Sequence, residues 1–259
     1  MYIDTHAHLY LEQFDEDRNE VIQSARDQGI DKIFMPNVDL STIEAMHEVA
    51  RDYPSVCFPM MGLHPCSVHQ EFEKDLQEIE AYFTKQKYIA VGEIGIDLYW
   101  DKSYYQQQIE AFKIQVQWAM SRRLPIVIHS RESIDEILDI LEGLALPDLQ
   151  GVFHCFTGDK TQAARIRDLG FYLGIGGVVT FKNGGLDKSL SAPDLKHVIL
   201  ETDAPYLTPH PYRGKRNESA YIPLIAEKLA QILHVSESEL GIQTTENALR
   251  LFTLATNQN

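Results

Sequence analysis

Two histidines stand one residue apart near the start of the chain, in His6-Ala7-His8. Alternate residues of a strand point to one side, so the pair can meet at one point and hold a metal ion between them. The alternative is two imidazoles satisfied by backbone hydrogen bonds. Five further short motifs carry kindred chemistry: Gly62-Leu63-His64-Pro65, Gly92-Glu93, His129-Ser130-Arg131, His154-Cys155 and Glu201-Thr202-Asp203. Imidazoles and carboxylates that converge in a protein interior need partners, and a cation supplies one for all of them. Nitrogen and oxygen ligands without thiolate suit Zn²⁺, Mn²⁺, Fe²⁺ or Mg²⁺ and do not choose among them. Glu93 closes the apolar run Ile89-Ala90-Val91-Gly92, where a carboxylate is costly unless it ligates or pairs. Its central place suits a bridge between two metals; an ion pair with Arg131 is the alternative. Asp203, nearer the rim than Glu201, is the expected general base for a metal-bound water. Glu201 is expected to support it, or to form a salt bridge inside the fold. Cys155 directly follows His154, so alternation turns its sulfur away from the centre, and Cys57 and Cys66 show no pairing pattern.

These motifs have to be gathered by the elements that carry them. Eight strand-like apolar runs lie at 2–5, 32–36, 56–62, 89–93, 125–129, 151–154, 171–174 and 198–202. Amphipathic stretches alternate with them, near 16–28, 42–52, 72–84, 105–122, 133–141 and 161–169. A short irregular stretch follows, then helical patterns at 222–233 and near 245–252. In Ile109, Phe112, Val116, Ala119 and Met120 the apolar positions recur every three or four residues, which makes one buried helical stripe. Strands alternating with helices predict an α/β protein with parallel strands, and eight such units predict a (β/α)₈ TIM barrel. An open doubly wound sheet calls for fewer strands and a glycine-rich first turn, and no GxGxxG follows the first strand. No repeat or linker divides the chain, so residues 1–259 are expected to form one domain. A barrel carries its chemistry at the C-terminal ends of its strands, and five of the ten histidines fall there.

The 259 residues match the usual size of such a barrel, and 44 % apolar with 24 % charged residues excludes a disordered or fibrous chain. The net charge of −15 repels phosphate unless the active face carries its own cations, which argues against a purely electrostatic nucleic-acid binder. Three cysteines without CxxC spacing suit a reducing compartment, so the cytoplasm is the expected location. The opening residues read as a strand rather than a leader, and no apolar run approaches the ~18 residues that span a bilayer, so no membrane partner is expected. A monomer is the default expectation.

Taken in order, His6-Ala7-His8, Gly62-Leu63-His64-Pro65, Gly92-Glu93-Ile94-Gly95-Ile96-Asp97, Ile128-His129-Ser130-Arg131, His154-Cys155-Phe156-Thr157-Gly158, Glu201-Thr202-Asp203-Ala204-Pro205 and Tyr212-Arg213-Gly214-Lys215-Arg216-Asn217-Glu218 resemble the TatD family of metal-dependent deoxyribonucleases. That family belongs to the amidohydrolase superfamily of metallo-dependent hydrolase barrels. The resemblance runs from about residue 1 to residue 252 and implies two divalent ions (Mg, Mn or Zn). It implies that His6, His8, Glu93 and Asp203 hold the first and that Glu93, His129 and His154 hold the second. Many amidohydrolases bridge their metals with a carbamylated lysine; the fourth strand here ends without a lysine, which fits a carboxylate bridge. The resemblance departs after Asn217-Glu218, where relatives commonly continue with proline and this chain has Ser219.

His64 and Arg131 face the same mouth and are expected to contact substrate phosphate or charge developing in the transition state, with hydrogen bonding to a ligand as the alternative. Arg213, Lys215 and Arg216 form the one dense basic cluster and are expected to grip phosphate, or else to be a solvated loop. The expected activity is hydrolysis of DNA phosphodiester bonds by a metal-bound hydroxide at a dinuclear site. Asp203 acts as base with Glu93 and His64 beside it, and the resemblance implies single strands or 3′ ends as substrate. A small phosphoester, amide or ester cleaved at the same metals is the alternative, and a binding module without catalysis is a third.

Overall fold

The computed structural model describes residues 1–252. Eight strands follow one another along the chain: β1 (Tyr2–Asp4), β2 (Ile30–Met35), β3 (Cys57–Pro59), β4 (Val91–Asp97), β5 (Ile126–Arg131), β6 (Gly151–Phe153), β7 (Tyr172–Ile175) and β8 (Val198–Leu200). Between and after them run α1 (Arg18–Asp27), α2 (Ile43–Asp52), α3 (Phe72–Tyr82), α4 (Tyr105–Arg122), α5 (Ile134–Leu144), α6 (Lys160–Asp168), the single turn α7 (Leu186–Ser189), α8 (Ile222–Leu233) and α9 (Glu237–Leu251). All strand pairings are parallel, within β1-β2-β3 and within β4-β5-β6-β7-β8.

Backbone bonds join these two sheets at both seams. Next to β3 and β4, Gly92 N donates to Met61 O at 3.0 Å and Ile89 N to Pro59 O at 3.2 Å. Next to β8 and β1, Thr5 N donates to Leu200 O at 3.0 Å and Asp203 N to His6 O at 2.9 Å. The result is the expected eight-stranded parallel barrel.

Each strand or its immediate flank sends one side chain into the ring: Ile3, Phe34, Met60, Ala90, Val127, Val152, Tyr172 and Ile199. Ala248, Leu251 and Phe252 pack on this layer, so α9 and the residue after it close one end of the barrel. A larger apolar layer separates the strands from the surrounding helices. On α4 the predicted stripe packs inward, with Phe112, Val116 and Ala119 buried and Ile109 and Met120 at its edges.

Several boundaries differ from expectation. The expected fourth strand ended at Glu93, but β4 runs on to Asp97, so Glu93 is its third residue of seven. Gly95 makes that continuation possible: its φ is 152°, and a Cβ there would collide with the His129 carbonyl of the neighbouring strand. The last helix begins at Glu237 rather than near Thr245. Ser236 caps it by accepting from Glu239 N at 3.1 Å, a start signal that the later apolar residues overshadow. Several strands also stop one to three residues earlier than predicted, which puts His154 just beyond β6, as His6, His8 and Asp203 lie beyond β1 and β8.

Candidate metal centre

Glu93 lies at the middle of the mouth and is 2 % exposed. Its two oxygens face different partners. Oε2 is 3.2 Å from His6 Nε2 and 3.8 Å from His8 Nε2. Oε1 is 2.8 Å from His129 Nδ1, 2.9 Å from His154 Nε2 and 3.4 Å from His64 Nε2. Asp203 closes the first group, with Oδ1 at 3.5 Å from His8 Nε2 and 3.7 Å from His6 Nε2. It does so from a φ of 59°, a left-handed conformation that aspartate tolerates better than most residues. Arg131 is not a partner of Glu93; its guanidinium lies over the Tyr99 ring instead.

For His8, His129 and His64, a hydrogen bond on the far side of the ring decides which nitrogen faces the centre and in what role. The Tyr10 hydroxyl donates to Pro36 O, so it accepts from His8 Nδ1 at 2.8 Å, and His8 Nε2 presents a lone pair. His129 Nε2 donates to Asp97 Oδ2 at 2.7 Å, which leaves Nδ1 for the centre. His64 differs: its Nδ1 accepts from Cys66 N at 3.0 Å, so in the neutral ring Nε2 carries the proton and is a donor rather than a ligand. His154 Nδ1 is 3.4 Å from Glu201 Oε1 without a well-formed hydrogen bond, and His6 Nδ1 has no partner among the described residues.

Burial alone would push the Glu93 carboxyl up, but His154, His64 and His6 together with the bond from His129 hold it well below the usual range. Burial would likewise lower His129, yet Asp97 and Glu93 raise it, and Glu93 and Glu201 raise His154 in the same way. These are the signs of a site rich in negative charge and short of cations. A proton on His6 Nε2 would have to serve His8 at 3.3 Å, Glu93 at 3.2 Å and Asp203 at 3.7 Å at once. One hydrogen cannot do that; a divalent cation can, and the nitrogen and oxygen donors present fit one.

Several residues that position this centre are not evident from motif spacing. Asn37, fully buried, donates to Gly62 O at 2.8 Å while its own carbonyl accepts from Glu93 N at 3.2 Å. From α4, Gln115 accepts from Leu63 N at 2.7 Å and donates to Leu63 O at 3.2 Å, fixing the backbone beside His64. Gln108 accepts from Asp97 N at 2.9 Å. Two glutamines inside an apolar helical stripe were the available signal. Asp4 accepts from the Thr202 and Ser219 hydroxyls, each at 2.6 Å, and so ties β1 to the residues after β8; burial pushes its carboxyl up to about 7. Glu201 is buried, accepts from Cys155 N and faces His154, not Asp203.

The expected substrate cations separate. Arg131 is exposed, and its guanidinium forms no hydrogen bond or ion pair among the described residues. Arg213 lies 3.8 Å over the Phe181 ring and donates to Thr208 O, and Lys215 lies 5.5 Å from the Tyr212 ring. Arg216 is already committed: it donates to both oxygens of Asp17 at 2.8 and 2.6 Å and to Glu218 at 3.0 Å. Its charge is neutralised within the protein, so it staples the loop to the start of α1 instead of reaching for phosphate, contrary to expectation.

Residues 3–253 match the model of the TatD related DNase family. An uncharacterized metal-dependent hydrolase, YabD of Bacillus subtilis (strain 168), is 39 % identical over 254 residues, covering 97 % of this chain and 99 % of its own. The 3′-5′ ssDNA/RNA exonuclease TatD of Pantoea sp. (strain At-9b) is 31 % identical, with the same coverage of both chains. The crystal structure of YJJV, a TatD homologue from Escherichia coli K12, superposes with a TM-score of 0.91 at 27 % identity over 98 % of each chain. The catalytic apparatus of a metal-dependent hydrolase is therefore to be sought in the mouth around Glu93, and the chain belongs to the TatD related DNase family.

Proposed function

We propose that the protein hydrolyses phosphodiester bonds of single-stranded nucleic acid, DNA in the first place, from the 3′ end, with two divalent ions held in the mouth. The observation that carries this reading is the division of labour at Glu93. One oxygen faces His6 and His8 beside Asp203, the other faces His129 and His154, and the carboxylate spans both sets. The 3′-end preference rests on likeness to relatives named 3′-5′ ssDNA/RNA exonuclease.

Two bound divalent ions supply activation of water near neutral pH and neutralisation of phosphate charge. The chain's own residues do the rest. Asp203 lies at the rim of the first group, and although burial would raise its carboxyl, His8, His154 and His6 hold it below the usual range. It is thus an ionised base, placed to take the proton of the attacking water. His64 presents its Nε2 proton toward the same space and donates to a phosphoryl oxygen as charge builds there. The water oxygen joins phosphorus, the ester P–O bond breaks, and the leaving oxygen takes its proton from solvent. Arg131, Arg213 and Lys215 are the cations at the rim for the flanking phosphates.

The test is cleavage of 5′-labelled single-stranded DNA with Mg²⁺ or Mn²⁺, with chelator as control. Stepwise shortening from the 3′ end, lost on chelation, is expected. Intact DNA in the presence of metal-loaded protein overturns the reading and points to a small phosphoester or ester as substrate.

A further inference from the structure

Among the described residues the large apolar side chains most exposed to solvent are Met1, Tyr99, Trp100, Ile114, Tyr206, Tyr212 and Ile242. The four aromatic ones all lie in the segments that leave the site ends of β4 and β8, two strands on opposite sides of the ring. Exposed aromatic side chains mark contact surface, and these stand on the loops at the end of the barrel that carries the candidate metal centre. Trp100 is the most open of the four at 69 %, with Tyr99 at 48 %.

This pair is held rather than loose. Tyr99 N and Trp100 N both donate to Asp97 Oδ1 at 2.9 Å, and the other oxygen of Asp97 accepts from His129 Nε2. The same carboxylate therefore anchors the aromatic turn and orients an imidazole of the centre. The two rings meet edge to face at 4.9 Å. Arg131, paired with Asp97 in the β4–β5 register, lays its guanidinium 3.7 Å over Tyr99 and 5.2 Å from Trp100. Its charge has no carboxylate partner among the described residues. An anchored π surface with an unpaired guanidinium at its edge suits a ligand that has a flat aromatic ring and an anionic group carried on the sugar attached to it.

We propose that Trp100, supported by Tyr99 and Arg131, is a stacking platform for a nucleobase adjacent to the scissile phosphodiester, with Arg131 contacting that nucleotide's phosphate. The inference rests on the nucleic-acid reading above and adds to it how the strand is held. Base stacking on an aromatic ring is tolerant of sequence, because every base has a π face. It also explains how a chain of net charge −15 retains a polyanion: attraction comes from the site and from ring contacts, not from the surface as a whole.

The chain has two tryptophans, and Trp118 is only 5 % exposed, so emission from Trp100 can be read against a buried reference. Metal-loaded protein is titrated with oligothymidylate and with an abasic oligomer of equal phosphate count, and emission is read before turnover. Quenching of at least half the exposed signal by oligothymidylate, and none by the abasic oligomer, is expected. In steady state, Trp100→Ala should raise KM for oligothymidylate by about 5- to 150-fold, with kcat within about twofold. Its KM values for the two oligomers should converge, and Trp100→Phe should recover most of the difference. Cleavage of DNA with equal KM for both oligomers in the wild-type protein, or insensitive to Trp100→Ala, overturns the platform and leaves the nuclease reading standing. If neither oligomer binds or is cleaved, both readings fall.

Discussion

The two ends of the barrel are built from the same eight strands and opposite materials. At one end Phe34, Val127, Val152 and Ile199 meet Leu251 and Phe252 in a closed apolar layer. At the other, a few residues further along the strands, six imidazole and carboxylate residues crowd around Glu93. Burying apolar area stabilises the fold at about 25 cal/mol per Å², whereas desolvating charges costs energy that only partners return. The closed end thus secures the ring, and the open end is held in an arrangement it would not choose without a cation. The clamps from Asn37, Gln108, Gln115 and Asp4 show what that takes: fully hydrogen-bonded polar side chains reaching in from neighbouring elements.

The contrast can be broken from either end. The largest effect is expected for Glu93→Gln, which keeps shape and removes the shared charge. Activity should fall about 10³-fold or more, since several kcal/mol of charge stabilisation go with the metals. The rise in Tm on adding Mn²⁺ to the wild-type protein should vanish in the variant, as calorimetry can show.

Phe252→Ala attacks the closed end, where Phe252 packs on Phe34 with ring centroids 4.7 Å apart. A loss of about 3–5 kcal/mol in chemical denaturation is expected, with kcat of the folded protein unchanged. If kcat falls as steeply as stability, the two ends are not independent.

The smallest and most informative effect is on pH. In the metal-free protein the pKa values of His129 and His154 are raised above 6.5 by neighbouring carboxylates. Their contribution to metal-free stability is therefore complete below 6.5 and is lost as pH rises through the raised values. With His129 and His154 as the proposed ligands, both rings must be neutral to hold metal, so each proton must leave, and metal affinity should rise by up to about 100-fold per pH unit below those values. Thermal scans with and without Mn²⁺ at several pH values check the sign: the gap between them should widen as pH increases.

Much of this site was legible in the chain. His6, His8, Glu93, His129, His154 and Asp203 each follow an apolar run, and strand alternation with the barrel rule places such residues at one mouth. The basic loop was not legible. Arg213, Lys215 and Arg216 look alike in sequence, yet Arg216 meets Asp17, a residue nearly the whole chain away, and only closure of the ring brings those two together.

By itself, the amino-acid sequence determined the alternation of strands and helices, the class of ligand atoms and the ends from which they come, because these follow from local periodicity and residue chemistry. Tertiary structure alone decided which imidazole faces which oxygen of Glu93, and that His64 donates where His8 accepts. It also decided that Arg131 lies over an aromatic turn. Those outcomes depend on the partner behind each side chain, Tyr10, Asp97 or the Cys66 amide, and contacts between distant segments have no signature in local sequence.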